Sequence, residues 1–408
     1  MTGPLELIDE LCPDGVEYKK LGECLIPTQN IKWKQVSNNL KYSYIDLTSV
    51  NRDTHKIEET ATISSDSAPS RAQQIIKKDD VIFATTRPTL MRYCIIDDNY
   101  NDSICSTGFC VLRSNTNLVL PKWIYHNVSS KGFEFYVESH QQGASYPSIA
   151  DKELKKYLIP VPPLEIQREI VRILDKFTEL TAELTAELTA REQQYEYYRR
   201  ELLNFDDRKD INYIPLGKAF EMKNGYTPSK KIKEYWQDGT IPWFRMEDIR
   251  LHGHILSDSI QHITMKGVKG KLFPANSIIL ATTATIGEHA LLIADSLANQ
   301  QFTFFTKCKS LMDKINTKYA YYYFYIIDEW CKRNVKISSF ASVDMEKLKK
   351  LPFPVPPLAE QQRIVDVLDR FDAICHDLTA GLPAEIEARQ KQYEYYRDKL
   401  LTFKRKEA

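Results

Sequence analysis

The sequence predicts an α+β protein with two similar globular domains of mixed helix and strand, separated by two long antiparallel coiled-coil helices in a pseudo-two-fold arrangement. The chain has 408 residues, which is too long for one ordinary domain. Hydrophobic residues make up 43% of it, which is enough to bury substantial cores. Two blocks of sequence occur twice in the same order, and this indicates an internal duplication.

The repeated blocks mark the junctions between domains and helices. The segment PVPPLEIQREIVRILDKF at 160–177 returns as PVPPLAEQQRIVDVLDRF at 354–371, and QYEYYRRELLNF at 194–205 returns as QYEYYRDKLLTF at 392–403. The offsets are 194 and 198 residues, so the second copy contains four extra residues between its blocks. We therefore expect the order domain, helix, domain, helix, with these parts at 1–158, 159–207, 208–352 and 353–408.

Weaker similarity extends into the domains themselves. VIFATT at 81–86 resembles IILATT at 278–283, and SIADKELKK at 148–156 resembles SVDMEKLKK at 342–350. The order of the similar segments is the same in both halves, so the two domains should share one fold.

Each predicted long helix follows a Pro-Pro-Leu start, where the missing N–H of proline has no intrahelical partner in any case. Apolar residues then recur at spacings of three and four, which is the pattern of a coiled-coil seam. TAEL occurs twice in tandem at 181–188 of the first helix, and one such unit would lengthen a helix by about 6 Å. The second stripe includes Leu378, and Gly381 and Pro383 interrupt it, which predicts a break or kink there.

The formal net charge of zero conceals an uneven distribution of charge. Residues 208–352 contain 22 Lys and Arg against 14 Asp and Glu, whereas residues 1–158 contain 18 against 20. A basic domain favours a nucleic-acid partner, so the second domain should contribute more of the salt-dependent binding to phosphates.

Arginine, lysine and small polar side chains on loops are best suited to contact the bases and phosphates of DNA. Several candidates follow the buried-looking strand that ends at Ala84, or its counterpart in the second domain. In the first domain the candidates are Tyr42, Tyr44, Arg71, Thr85, Thr86, Arg87, Arg92, Ser145, Tyr146 and Ser148. In the second domain they are Lys230, Lys231, Lys233, Trp243, Arg245, Arg250, Thr282, Thr283 and Lys336.

Two tyrosines of the repeated QYEYYR blocks lie off the apolar stripe of the helices. Tyr197 and Tyr395 occupy matching positions in the two copies, which predicts two equivalent docking sites and therefore two copies of one partner. The alternative is that both side chains cap the junction between a domain and its helix.

The sequence lacks the signatures of the common catalytic and metal sites. It contains no GxGxxG that opens a helix, no P-loop, no HExxH or GxSxG, and no NPPY or DPPY methyltransferase motif. The string at 13–19 resembles a PD…ExK nuclease motif, but its parts are too close for separate strands, so we expect a turn entering a strand. The eight cysteines show no CxxC spacing, which favours buried reduced thiols over zinc. We expect no catalysis, no cofactor and no metal.

The duplicated PVPPL and QYEYYR blocks, the TAEL tandem, and the pairs Leu21–Gly22 and Leu216–Gly217 together resemble the specificity subunit of type I restriction–modification enzymes. The resemblance covers essentially the whole chain, and the TAEL tandem is similar to that of the IC group. It implies two target-recognition domains that each read one half of a split, asymmetric site in double-stranded DNA. The length of the helices would then set the length of the unspecified DNA spacer between the two halves. The resemblance also implies that methyltransferase (modification) subunits dock on the helices and that restriction subunits join this core.

Two other interpretations stay open at this stage. A methyltransferase or nuclease fused to its own DNA reader is one, and the missing motifs count against it. A coiled-coil adaptor without a DNA role is the other, and it leaves the basic second domain unexplained. No apolar run reaches membrane-spanning length, and the N-terminus carries acids where a signal peptide would be basic and then apolar, so we expect a cytoplasmic protein that does not bind membranes.

Overall fold

The computed structural model describes residue 8 and residues 10–206, 208–337, 341–377 and 379–407. Leu378, which the sequence places on the second apolar stripe, lies outside the described residues, as do residues 1–7 and 9 of the N-terminal segment compared above with a signal peptide. The chain divides into two compact units. The first unit comprises Met1–Thr185 and Glu385–Ala408, and the second unit comprises Ala186–Ala384.

The helices include one long continuous element and one that is split in two. In chain order they are α1 (Pro121–Val128), α2 (Lys131–His140), α3 (Asp151–Leu154), α4 (Leu164–Leu203), α5 (Leu216–Ala219), α6 (Met246–His252), α7 (Thr317–Arg333), α8 (Met345–Lys350), α9 (Leu358–His376) and α10 (Leu382–Leu400). Helix α4 runs for 40 residues, whereas its counterpart in the second copy consists of α9 and α10, each 19 residues long.

The break predicted from Gly381 and Pro383 is confirmed, because it separates α9 from α10. The N–H of Gly381 donates to the carbonyl oxygen of Asp377 at 2.9 Å. A Cβ atom on Gly381 would lie only 2.6 Å from the carbonyl oxygen of Ala373. Glycine is therefore needed at this position because the backbone passes too close for a side chain.

The domain in the first unit contains two sheets and one closing strand pair. Its strands are β1 (Tyr18–Lys20), β2 (Gln29–Asn30), β3 (Tyr42–Ile45), β4 (Ala61–Ile63), β5 (Ala72–Ile75), β6 (Val81–Ala84), β7 (Tyr93–Ile95), β8 (Ile104–Ser106), β9 (Phe109–Leu112) and β10 (Leu158–Pro160). They form a five-stranded sheet in the order β2-β5-β8-β3-β4, a three-stranded sheet in the order β7-β6-β9, and the antiparallel pair β1-β10. Phe133 of α2 meets Phe83 of β6 edge-on at 5.0 Å, so this helix covers the smaller sheet.

The domain in the second unit is built in a similar way. Its strands are β11 (Asn212–Pro215), β12 (Phe220–Asn224), β13 (Ile241–Phe244), β14 (Ile255–Leu256), β15 (His262–Ile263), β16 (Ile278–Ala281), β17 (His289–Leu292), β18 (Leu297–Ala298), β19 (Phe302–Lys307), β20 (Val335–Ile337), β21 (Ala341–Val343) and β22 (Pro352–Val355). The sheets have the orders β12-β19-β16-β17-β14 and β15-β13-β18, with the pairs β11-β22 and β20-β21. Helix α7 supplies a tightly packed aromatic core, in which Phe324 meets Phe305 of β19 at 4.9 Å.

The first and last strands of each domain pair with one another at the start of the long helix that follows. Tyr18 is opposite Pro160 in one domain, and Tyr213 is opposite Pro354 in the other. Because the paired prolines belong to the repeated PVPPL blocks, the duplication detected in the sequence is also a duplication of this closing strand pair.

A buried glutamine ties each helix start to its own domain. The side chain of Gln167 accepts from the N–H of Leu120 at 3.0 Å and donates to the carbonyl oxygens of Leu118 and Pro162, both at 2.8 Å. Gln361 repeats this pattern with the N–H of Asn316 and the carbonyl oxygens of Lys314 and Pro356. The two glutamines are the third residues after the helix starts, Leu164 and Leu358, so the sequence repeat reproduces the contact.

Within each unit a tyrosine of the QYEYYR block stacks on the phenylalanine that ends a PVPPL block. Phe177 and Tyr396 stack at 5.5 Å in the first unit, and Tyr198 and Phe371 stack at 5.4 Å in the second. In the second unit Arg208, which follows α4, pairs with Glu360 near the start of α9 at 3.0 Å. The two helical segments of that unit therefore run antiparallel.

The predicted fold class is confirmed: the chain has two similar domains of mixed helix and strand together with long helices. The nuclease-like string at 13–19 is a turn followed by β1, as expected. Among the described residues, no helix is both long enough and apolar enough to cross a membrane.

Candidate nucleic-acid interface

The end of the buried strand β6 is attached to a hairpin from a distant part of the first domain. The N–H of Thr85 donates to the carbonyl oxygen of Gly108 at 2.9 Å, and its own carbonyl oxygen accepts from the N–H of Ile149 at 2.9 Å. Thr86 forms an antiparallel bridge with Ser148. The chain must therefore leave β6 beside the segment that precedes α3.

The hairpin itself spans residues 142–148. Gln142 and Ser148 exchange two backbone hydrogen bonds of 2.8 Å. Gly143 has a φ of +97°, and a Cβ there would lie 3.0 Å from the carbonyl oxygen of Tyr146, so a glycine suits this turn. Ser145 and Tyr146 are exposed at the tip, and the tyrosine has 73% of its surface accessible.

Arg87 directly follows the bridged residue Thr86 and contacts the tip of this hairpin. Its N–H donates to the carbonyl oxygen of Pro147 at 2.7 Å. Its guanidinium carbon lies 5.2 Å from the centre of the Tyr146 ring, a cation–π geometry. The structure thus brings six predicted residues together, and we call residues 85–87 with residues 142–148 the first platform.

The second domain repeats this arrangement at the end of β16. The N–H of Thr282 donates to the carbonyl oxygen of Gln301, and its carbonyl oxygen accepts from the N–H of Val343, both at 2.9 Å. Thr283 forms a bridge with Ser342, which is opposite Lys336 in the strand pair β20-β21. We call residues 282–284 with Lys336 and Ser342 the second platform.

The charge on the second platform differs from that on the first. Lys336 occupies the position that Gln142 has in the first domain, since each is opposite the bridging serine. Its ammonium group lies 2.8 Å from a carboxylate oxygen of Asp344, and this hydrogen bond lowers the pKa of that carboxyl group below its usual value. The cation is therefore partly neutralised by its neighbour.

Two predicted DNA contacts lie in the cores of the domains. Tyr44 is opposite Ile104, and Trp243 is opposite Leu297, in equivalent parallel strand pairs. Tyr44 is buried, and Trp243 exposes only 2% of its surface. The Trp243 indole N–H also donates to the carbonyl oxygen of Tyr226 at 3.1 Å. These two aromatic rings support the sheets, which leaves them little surface for a ligand.

Three other predicted residues are held partly inside their domains. Arg92 is half-buried and its guanidinium donates to the carbonyl oxygen of Leu47. Tyr42 is half-buried against Trp33, with the ring centres 5.8 Å apart. Arg245 is half-buried beside Trp243, with its guanidinium carbon 5.8 Å from the ring centre.

The remaining predicted cations are exposed. The carbonyl oxygen of Arg71 accepts from the N–H of Thr107 at 2.9 Å, next to the Gly108 that holds the first platform, so Arg71 lies at its margin. In the second domain the exposed cations form no ion pair with any residue that the structure describes; they are Lys230, Lys231, Lys233 and Arg250. Lys230 and Lys233 line a shallow depression together with Trp236.

The two predicted docking tyrosines are exposed to nearly the same degree. Tyr197 exposes 60% of its surface and Tyr395 exposes 61%. Each meets the next tyrosine of its own helix edge-on, with ring centres 5.4 Å apart for Tyr197 and Tyr198 and 5.2 Å apart for Tyr395 and Tyr396. The second tyrosine of each pair is the one that stacks on a phenylalanine, so the first is left facing outwards.

Some members of the platforms are missing from the residues predicted by sequence. Gln142 and Ser342 are not among the predicted residues, although the similarity of SIADKELKK to SVDMEKLKK aligns Ser342 with the predicted Ser148. The backbone bridge that joins each serine to a threonine could not be read from the sequence. In the described part of the chain, no cluster of three or more His, Cys, Asp or Glu side chains could hold a metal ion.

Comparison with known proteins gives a consistent result over most of the chain. The family model described as the type I restriction modification DNA specificity domain matches residues 13–191 and again residues 208–388. The specificity subunit of the type I restriction enzyme EcoprrI from Escherichia coli is 51% identical over 209 residues, which are 49% of this chain and 52% of that protein. The match thus spans about half of that relative. The EcoR124I/EcoR124II specificity subunit from Escherichia coli is 40% identical over 312 residues, which are 73% of this chain and 74% of that protein.

Solved structures support the fold. A chain from a study of complex assembly and conformational transition in the type I restriction–modification system matches with a TM-score of 0.66 and 23% identity, over 95% of this chain and 97% of that one. The HsdS subunit from Thermoanaerobacter tengcongensis matches with a TM-score of 0.50 and 23% identity, over 96% of this chain and 97% of that one. At such identities the two matches speak for the fold alone.

Proposed function

The chain belongs to the family of type I restriction–modification DNA specificity proteins, and from this membership we propose that it is the subunit that gives such a system its DNA sequence specificity. In this proposal each domain reads one half of a split, asymmetric site in double-stranded DNA. The observation that carries it is the pair of platforms, which share one backbone frame but present different side chains. Two domains with the same backbone arrangement can dock on DNA in the same way, and different side chains on them can read two different half-sites.

The proposed division of labour follows the duplication in the sequence. Residues 1–158 and 208–352 would be the target-recognition domains, and residues 159–207 and 353–408 would be the helical spacers. A 40-residue helix such as α4 is about 60 Å long at about 1.5 Å per residue. That length supports a role for the helices as a ruler between half-sites, which lie one or more turns of about 34–36 Å apart in other two-headed DNA readers.

We assign the contacts to DNA within the domains as follows. The first platform, with Arg71 at its margin, would face DNA in one domain, and the second platform would do so in the other. The exposed lysines and Arg250 of the second domain would contact phosphates, because they carry free positive charge and the domain has a surplus of it. Tyr44 and Trp243 are left out of this assignment because they are buried.

The chemistry of the system would lie on other chains. We propose that this chain itself is not an enzyme and needs no cofactor, and that two methyltransferase subunits dock on the helices, with restriction subunits joining them. Tyr197 and Tyr395 support two equivalent docking sites, because both are exposed aromatic side chains at repeated positions. Exposed aromatic residues are enriched among those that dominate protein–protein binding.

A gel-shift and methylation assay with the full chain tests this proposal. The chain is mixed with specific and scrambled DNA, alone and with the modification subunit, in the presence of S-adenosylmethionine. We expect sequence-specific binding by the complex and methyl transfer only when the modification subunit is present. Methyl transfer by the chain alone would show a fused methyltransferase instead, and the absence of DNA binding in both samples would favour an adaptor.

A further inference from the structure

The backbone conformation of Arg87 is unusual for a residue with a side chain. Its φ is +49°, in the left-handed region that favours glycine. Ala284, at the same place in the second platform, also has a positive φ, of +62°. Since both residues adopt it, the conformation comes from the bridged strand end rather than from the arginine side chain. The two sites therefore differ in the side chain that each presents, which is a guanidinium group at Arg87 and a methyl group at Ala284.

The guanidinium group of Arg87 is available to a ligand. It is exposed, and within the described part of the chain it has no ion pair and no hydrogen bond of its own. Its guanidinium carbon lies over the face of the Tyr146 ring, 5.2 Å from the ring centre. A ring below a planar cation restricts its orientation while leaving the N–H groups at its edge free.

From this geometry, and resting on the proposed DNA-reading function, we propose that Arg87 reads a guanine base in the half-site of the first domain. The planar fork of an arginine matches the two acceptors, N7 and O6, that guanine alone presents side by side in the major groove. Tyr146 is the positioning residue that holds the fork. A contact to a phosphate would instead add affinity for every sequence alike, because phosphates carry no sequence information.

The second domain lacks this contact at the equivalent position. Ala284 has no donor on its side chain, although its backbone has the same left-handed conformation as that of Arg87. The guanine requirement that Arg87 would impose is therefore confined to one half-site. This asymmetry gives an internal control, because the other half-site of the same DNA should not respond to changes at position 87.

Sequencing of the methylated sites made by the full complex, with the modification subunits, tests the proposal. Arg87→Ala should lose discrimination at one guanine of one half-site by about 5- to 150-fold, and Arg87→Lys, which keeps an ammonium donor but loses the planar fork, should lose part of it. Tyr146→Phe should keep the wild-type site because it keeps the ring, whereas Tyr146→Ala should weaken discrimination at the same guanine. The other half-site should stay unchanged in every variant.

Three results would overturn the proposal. If Arg87→Ala lowers methylation of all sites equally and relaxes the choice of no base, Arg87 contacts a phosphate. If variants that keep the wild-type thermal melt alter both half-sites equally, Arg87 does not read a base of its own half-site. If the wild-type complex itself has no preferred site, the proposed DNA-reading function fails, and the assignment of Arg87 fails with it.

Discussion

Replacing Gln167 or Gln361 with alanine should destabilise one unit of the protein while leaving the other intact. Each side chain is fully buried and makes three hydrogen bonds, which hold the start of a long helix against its own domain. The partners are backbone groups, so alanine would leave an N–H and two carbonyl oxygens without the glutamine. The two glutamines belong to different units, since Gln167 lies in the first and Gln361 in the second.

The magnitude follows from the three bonds. A buried hydrogen bond contributes about 1 kcal/mol net, so each substitution should lower the free energy of unfolding of its unit by about 3 kcal/mol. For a unit of roughly 200 residues, about 1 kcal/mol corresponds to a fall in Tm of about 2–4 °C. We therefore expect the Tm of the affected unit to fall by about 6–12 °C.

Differential scanning calorimetry of the full chain measures this directly. Gln193→Ala is the matched control, because Gln193 is exposed on the same helix as Gln167, and it should change stability by less than about 0.5 kcal/mol. The two buried variants should each lower one transition. A buried variant that melts like the Gln193 control would refute the view that these glutamines fasten the helices to the domains.

Three further outcomes are expected. The double variant Tyr197→Ala, Tyr395→Ala should lose binding to the modification subunit in size-exclusion chromatography while keeping the wild-type circular dichroism spectrum; unchanged binding would refute docking there. Lys230→Ala with Lys231→Ala should reduce the slope of log binding constant against log salt by about 2, because each lysine that neutralises a phosphate contributes about 0.9; an unchanged slope would remove both from the interface. Burial lowers the pKa of His55 to about 4, whereas the pKa of an unfolded histidine is about 6.5. The neutral His55 side chain therefore contributes to the free energy of unfolding above pH 6.5. This contribution, of up to about 3 kcal/mol, is lost as the pH falls from 6.5 towards 4. His55→Gln should flatten the dependence of Tm on pH over that range, and an equally steep dependence in the variant would contradict it.

The overall architecture could be predicted from the sequence because the duplication is explicit. The repeated PVPPL block fixes both the closing strand pair and the helix start. Gly381 and Pro383 mark the break between α9 and α10, since a glycine and a proline together end a helix. The continuous course of α4 follows from a stripe of apolar residues with no such interruption.

The candidate interface could be predicted only in part. The sequence predicts Thr86 and Ser148 independently, one as a polar residue near a strand end and the other as a polar residue on a loop, and their proximity depends on a pairing between distant segments. Tyr44 and Trp243 lie on short strands whose two faces are covered by different elements, so their sequence pattern did not reveal that both rings point into the core. The left-handed conformation of Arg87 gives no local signal, because arginine is not a residue that favours it.

The central claim is that two similar frames with different side chains read two different half-sites. Single-molecule sequencing of modified bases in DNA from a host that expresses this chain with its modification subunits measures this directly. The account predicts one motif made of two unlike halves at a fixed distance, with unspecified bases between them. A single uninterrupted motif, or two identical halves, would contradict it.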